Sequence, residues 1–137
     1  MTTLDKLTQT KIENLVIESS DIYTKGNLEK SINLLKVAWE ELPNSKYDYD
    51  YSYHIARHTT KILIELKAFA KASKWTEITS KCDPERADIG KKEFLIGQVA
   101  FESGQEQKAI EYFKIANDKS DGMCFEGEDD KYRKLIK

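Results

Sequence analysis

Apolar side chains return along this chain every three or four positions, with polar residues filling the gaps between them. Ile12, Leu15, Val16, Ser19, Ile22 and Tyr23 fall on one face of a helix over about residues 4–24. Gly26-Asn27 ends that helix, because glycine accepts a positive φ. Leu28, Ile32, Leu35, Ala38, Trp39 and Leu42 form a second stripe, stopped by Pro43, which has no amide hydrogen to continue the ladder. Two helices joined by so short a connection pack antiparallel. A third helix is expected over 48–66, with Tyr51, Ile55, Ile62 and Leu66 on one side. After a break near Lys67, the residues Ala68, Ala72, Trp75 and Thr79 support a fourth, ending before Cys82-Asp83-Pro84. Pro84 suits a first helical turn, so a fifth helix should open there and run to about Ser103, where Gly104 breaks it. Ala109, Ile110, Phe113 and Ala116 carry a sixth, and Tyr132, Leu135 and Ile136 a short seventh. No segment needs to be a strand.

Tyr47, Tyr49, Tyr51 and Tyr53 alternate with the period of a strand, yet on a helix they make two pairs spaced by four. The helical spacing that follows favours the helix.

The two ends of the chain resemble each other. Ile22-Tyr23-Thr24-Lys25-Gly26-Asn27-Leu28-Glu29-Lys30-Ser31-Ile32 lies over Ala100-Phe101-Glu102-Ser103-Gly104-Gln105-Glu106-Gln107-Lys108-Ala109-Ile110 at an offset of 78 residues. That distance holds two helix-pair repeats of about 34 residues with long connections. Gly97, Phe101, Gly104, Ala109, Phe113 and Ala116 carry the pattern best; Tyr23, Gly26, Ser31, Leu35, Ala38 and Pro43 carry it again, with Ser19 in place of the glycine. In this respect the chain resembles the tetratricopeptide repeat family, in which small residues let helices approach and large ones fill the holes between them. In the middle repeat Ala72 fits, and Lys67 stands where a turn glycine would help. The resemblance implies an all-α, right-handed solenoid of about three tetratricopeptide-like helix pairs with a short C-terminal capping helix. The chain then reads as one domain over 1–137, with repeats at about 10–43, 48–82 and 85–118 and an acidic linker and cap over 119–137.

A second resemblance is confined to Ser120-Asp121-Gly122-Met123-Cys124-Phe125-Glu126-Gly127-Glu128-Asp129-Asp130-Lys131-Tyr132. This stretch is similar to the end of small repeat proteins encoded beside bacterial polymorphic toxins, with Asp130 where those proteins often carry proline. It implies an immunity role. Gly122 and Gly127 permit a tight connection, and Glu128 to Asp130 suit the amino end of a terminal helix through its dipole.

Charge narrows the function classes. Lys and Arg number 22 against 24 Asp and Glu, a formal charge of -2, without the basic face that phosphate-backbone binding needs. General nucleic-acid binding is not expected. No apolar run reaches a membrane span, and Met1-Thr2-Thr3-Leu4-Asp5-Lys6 lacks the layout of a signal peptide, so a cytoplasmic protein without membrane attachment is expected. Cys82 and Cys124 stand apart with no CxxC pair, which suits neither a disulfide framework nor a zinc ribbon.

Catalytic and metal candidates are sparse. His54 and His58 have the i,i+4 spacing of zinc ligands on a helix, but Ile55 stands where HExxH has its glutamate and no third ligand is evident. Gly90, Gly97 and Gly104 recur every seven residues, which makes no phosphate loop. Glu40-Glu41 and Asp129-Asp130 have polar neighbours that suggest solvated faces. We therefore expect no cofactor, no metal and no enzymatic activity, but a protein-binding module.

In a stack of helix pairs the first helix of each pair lines the concave face. The residues expected there are Val16, Ser20 and Tyr23; His54, Arg57 and Lys61; and Phe94, Gln98 and Phe101. Tyr51 lies on a tyrosine-rich acidic edge, and Glu126, Glu128, Asp129 and Asp130 form an acidic tail that would attract a basic partner. Two functions follow from these features: an immunity protein occupying a cognate bacterial toxin, or an intracellular adaptor or chaperone-like scaffold holding a peptide in its concave groove. The oligomeric state is not legible.

Overall fold

The computed structural model describes residues 4–44, 46–82 and 90–137, and these contain seven α-helices and no strand. They are α1 (Lys6–Thr24), α2 (Leu28–Glu41), α3 (Asp50–Glu65), α4 (Phe69–Lys81), α5 (Lys91–Glu102), α6 (Glu106–Ser120) and α7 (Asp130–Lys134). Two short 3-10 turns, Lys46–Asp48 and Met123–Phe125, precede α3 and α7. The opening of the fifth helix expected at Pro84 lies outside the described residues; the helix described there begins at Lys91 behind Gly90. Packing gathers the chain into two compact units, Met1–Glu85 and Arg86–Lys137.

In the first unit α1 packs on α2, α2 on α3 and α3 on α4. Asp5, not Leu4, sets the start of α1: its carboxylate accepts the Thr8 amide at 2.9 Å, leaving one fewer orphan donor in the first turn. At the other end of the pair Lys46 closes α2. Its ammonium reaches the carbonyls of Leu42 at 2.6 Å and Trp39 at 3.1 Å, adding a charged donor at the end of the helix, where the Trp39 carbonyl also accepts the Leu42 amide at 3.1 Å.

The tyrosine run is neither a strand nor a continuous helix. Tyr47 sits in the 3-10 turn and Tyr49 is the N-cap of α3, so only Tyr51 and Tyr53 are helical. Ser52 forces the change of geometry. Its hydroxyl accepts the Tyr49 amide at 3.2 Å and donates to the Lys46 carbonyl, folding the chain back over the first turn. Tyr47 meets Trp39 at 6.1 Å between ring centres, and Trp39 meets Trp75 edge-on at 5.4 Å, joining α2 to α4.

The same helix–turn–helix geometry occurs three times. Gly26, Lys67 and Gly104 adopt φ of 90°, 60° and 86°. The next residue in each case bonds back five positions: Asn27 to Ile22 at 3.2 Å, Ala68 to Leu63 at 2.9 Å, Gln105 to Ala100 at 2.8 Å. Small residues then enter the interface at Ser31, Ala72 and Ala109, all with no exposed surface. The middle pair, which the sequence pattern only half reveals, uses threonine where its neighbours use serine, glycine, leucine, phenylalanine or alanine. Thr60, Thr76 and Thr79 are buried, and each hydroxyl is satisfied by a carbonyl of its own helix (Ala56, Ser73 and Trp75), so each can pack as an apolar group.

In the second unit α5 packs on α6 around Phe94, Phe113, Phe125 and Tyr132. Gly122 and Gly127 take φ of 83° and 79°, as the tight connection requires, and Asp129 caps α7 by accepting the Lys131 amide at 3.0 Å.

Candidate functional site

The first unit carries a groove of about 530 Å³ between α1 and α3, floored by α2. The two walls run parallel and are tied at both ends by a tyrosine and a glutamate. Near their starts, the Tyr51 phenol donates to Glu13 Oε1 at 2.5 Å; near their ends, the Tyr23 phenol donates to Glu65 Oε1 at 2.6 Å. Both bonds are charge-assisted. They hold the Glu13 carboxyl below its ordinary range, chiefly through Tyr51 and then Gln9, and push the Tyr23 phenol up through the Glu65 bond, burial and the Glu65 charge.

Val16, Ser20, Tyr23 and Thr24 project from α1, and His54, Arg57, His58 and Lys61 from α3. They share a wall because residues three and four apart are neighbours on a helix surface. Ser31, Leu35 and Ile62 lie beneath. Ser19 is closed off: its hydroxyl lies 2.8 Å from both the Ser31 carbonyl and the Ser31 hydroxyl, which in turn donates to the Ser19 carbonyl at 2.8 Å. The cationic wall has an uneven charge. His54 and His58 stand with rings 4.3 Å apart, and His58 is lowered to about 4, first by burial and then by the charges of His54, Arg57 and Lys61. At neutral pH, Arg57 and Lys61 therefore carry the charge while His58 offers a neutral imidazole.

The expected concave-face residues divide. Tyr23, His54, Arg57 and Lys61 meet in this groove, with Val16 and Ser20. Tyr51 lies at its end as half of a tie, not as a projecting ring. On α5, Phe94 is 3% exposed and Gln98 8%, both turned into their own unit, and Phe101 is half-buried against Tyr132. Their side chains are taken up by packing because α7 covers them. The acidic tail is likewise partly committed to local structure: Asp129 caps α7, Asp130 lies in its first turn, and Lys131 pairs with Glu102 at 2.7 Å. Glu126 is exposed and Glu128 half-buried.

Sequence reasoning missed Glu13 and Glu65, whose partners lie across a long stretch of chain, and it read His58 as a packed or surface histidine in preference to a metal ligand, without placing it in the groove. Its position one turn after His54 was the available signal. Among the described residues no three His, Cys, Asp or Glu side chains converge as a metal site, and no helix is long and apolar enough to cross a membrane. Cys82 is fully buried with its thiol 3.2 Å from the Ile78 carbonyl, and burial pushes the Cys124 thiol up. Compared with protein-family models, curated proteins and solved structures, the chain finds no match.

Proposed function

We propose that this chain is a non-enzymatic protein-binding module built from tetratricopeptide-like helix pairs, the first two being successive turns of a right-handed solenoid and the third a repeat of the same kind. The observation that carries this reading is the groove: two parallel first helices joined by tyrosine–glutamate ties, with Tyr23, His54, Arg57 and Lys61 on the walls above Ser31, Leu35 and Ile62. Aromatic and arginine side chains are favoured anchors for a partner, since they bury much area at limited conformational cost. The thrice-repeated turn and its small interface residues support the repeat assignment.

The biological role we propose is neutralisation of a cognate bacterial toxin by direct binding in the cytoplasm, supported by the resemblance of residues 120–132 to immunity proteins. Co-expression with the toxin encoded by the neighbouring reading frame tests it. Protection from killing, with a complex recovered on copurification, is the expected result; killing in the presence of abundant folded protein refutes it. An adaptor holding a peptide is the second reading, and the open, floored shape of the groove favours it. A neighbouring set of assembly or regulatory components in place of a toxin gene would select that role.

A further inference from the structure

The second unit contains an internal precedent for what the groove of the first unit accepts. At the 78-residue offset, Val16, Ser20 and Tyr23 of the groove correspond to Phe94, Gln98 and Phe101, while Thr24 and Leu35 correspond to Glu102 and Phe113. In the second unit one side chain touches all five of these positions, and it is Tyr132. Its ring lies 5.7, 5.4 and 5.6 Å from those of Phe94, Phe101 and Phe113. Its hydroxyl receives the Gln98 amide at 3.2 Å and donates to Glu102 Oε1 at 3.3 Å. The positions that form an open groove in one unit are thus a filled tyrosine pocket in the other.

The substitutions between the two explain why the first remains open and what it prefers. Val, Ser and Leu replace Phe, Gln and Phe, which removes the bulk that closes around Tyr132 and leaves the cavity. Thr24 in place of Glu102 removes the carboxylate that meets the Tyr132 phenol, and α3 adds Arg57 and Lys61 to the lining, while the Glu13 and Glu65 carboxylates stay bound to Tyr51 and Tyr23 at the groove's ends. Tyr132 itself follows Glu128, Asp129 and Asp130; its own pocket has Glu102 at the phenol, whereas a cationic wall suits such flanking carboxylates better.

We propose that the α1–α3 groove binds an aromatic side chain, a phenol by preference, on a partner segment whose neighbouring residues are carboxylates that pair with Arg57 and Lys61. This rests on the reading of the groove as the partner site and names the chemistry of what enters it. The ring takes the space above Leu35 that Tyr132 takes above Phe113, the phenol hydroxyl meets Ser20 and Thr24, and the flanking acids lie against α3.

The test uses the full-length chain, isotopically labelled, and an acetylated, amidated probe of sequence Asp-Glu-Asp-Tyr-Glu-Asp. Two control probes replace its tyrosine by alanine or all its acids by the corresponding amides. Saturable amide shifts concentrated in residues 16–24 and 54–62 are expected, with both controls at least about tenfold weaker. Val16→Phe, which restores the bulk of the second unit, should weaken the probe about tenfold, as should Arg57→Gln, a half-buried surface change expected to keep the fold. Equal binding of the alanine probe would reduce the groove to a cationic patch, and equal binding of the amide probe to an apolar slot; either overturns the proposal, as does the absence of saturable shifts there. The toxin assay separates this from the role itself. Equal protection by wild type, Val16→Phe and Arg57→Gln leaves the role standing and removes the groove from it. Specific probe binding without protection does the reverse.

Discussion

The ring of Phe113 fills the space that a side chain on Gly97 would need: a Cβ at Gly97 would lie 2.7 Å from Phe113 Cδ1 and Cε1. Phe113 has no exposed surface, so the ring has nowhere to swing. Gly97→Ala should therefore overpack the α5–α6 contact and cost on the order of 1–3 kcal/mol, despite alanine's better helix propensity. Urea unfolding measures it; an unchanged midpoint would mean the helices are not in this contact.

Lys67 holds a φ of 60° where the other two turns have glycine. Left-handed backbone costs a residue with a Cβ roughly 1–2 kcal/mol, and glycine's greater freedom in the unfolded chain offsets about 0.4–1 kcal/mol of that relief. Lys67→Gly should stabilise the protein by about 0.5–1 kcal/mol, read as a higher denaturant midpoint with unchanged slope.

Ser19 and Ser31 bond to one another twice across the α1–α2 contact, in a setting with 2% and 0% exposure. Either serine changed to alanine should cost about 1 kcal/mol by leaving a buried group without its partner. The double alanine variant removes both hydroxyls and keeps both carbonyls, but it loses the hydroxyl–hydroxyl contact once where the two single variants lose it twice, so it should cost less than their sum and the thermodynamic cycle returns a coupling energy of opposite sign to the single losses.

His58 is held near 4 in the folded chain against an ordinary 6.5, burial being the largest cause. Between those values the unfolded chain binds a proton that the folded chain does not, so stability must fall as pH is lowered from about 6.5 to 4. Below 4 both states are protonated and this contribution changes no further. The measurement is unfolding free energy across that window, where His58→Gln should flatten the slope. A His58 imidazole resonance titrating near 6.5 would show that it is not buried as described.

Tyr132 anchors the terminal helix with 5% exposure, and burial is the main reason its phenol is raised. Tyr132→Ala should cost about 3–5 kcal/mol by opening a cavity among Phe94, Phe101 and Phe113. Tyr132→Phe keeps the ring and should lose about 1 kcal/mol, the Gln98 and Glu102 bonds being what it gives up. A thermal melt of the three proteins orders them.

The helices were legible because helix formation is local. The three-and-four spacing of Ile12 to Tyr23 or Leu28 to Leu42, with Gly26 and Pro43 behind them, placed α1 and α2 to within two residues. The 78-residue self-similarity likewise marked Gly97, Phe113 and their small neighbours as a helix contact. Where local geometry has two solutions, pattern did not decide. Tyr47 to Tyr53 fits either period, and a hydroxyl three residues on, that of Ser52, chose the turn. The middle pair was obscured because Thr60, Thr76 and Thr79 look polar in a sequence, while in the helix each spends its hydroxyl on a nearby carbonyl and packs as a small apolar group.

The site divides the same way. Spacing put Tyr23 on one face of α1 and His54, Arg57 and Lys61 on one face of α3. Nothing in the spacing joined those faces, because the ties between Tyr23 and Glu65 and between Tyr51 and Glu13 form only once α2 has brought the two helices side by side. Phe94 and Gln98 have the same helical register as Val16 and Ser20, yet they are buried, because Tyr132 returns from far along the chain to cover them. Local sequence determines which face a residue occupies; whether that face meets solvent or another side chain is decided by long-range packing, which the helical period does not encode.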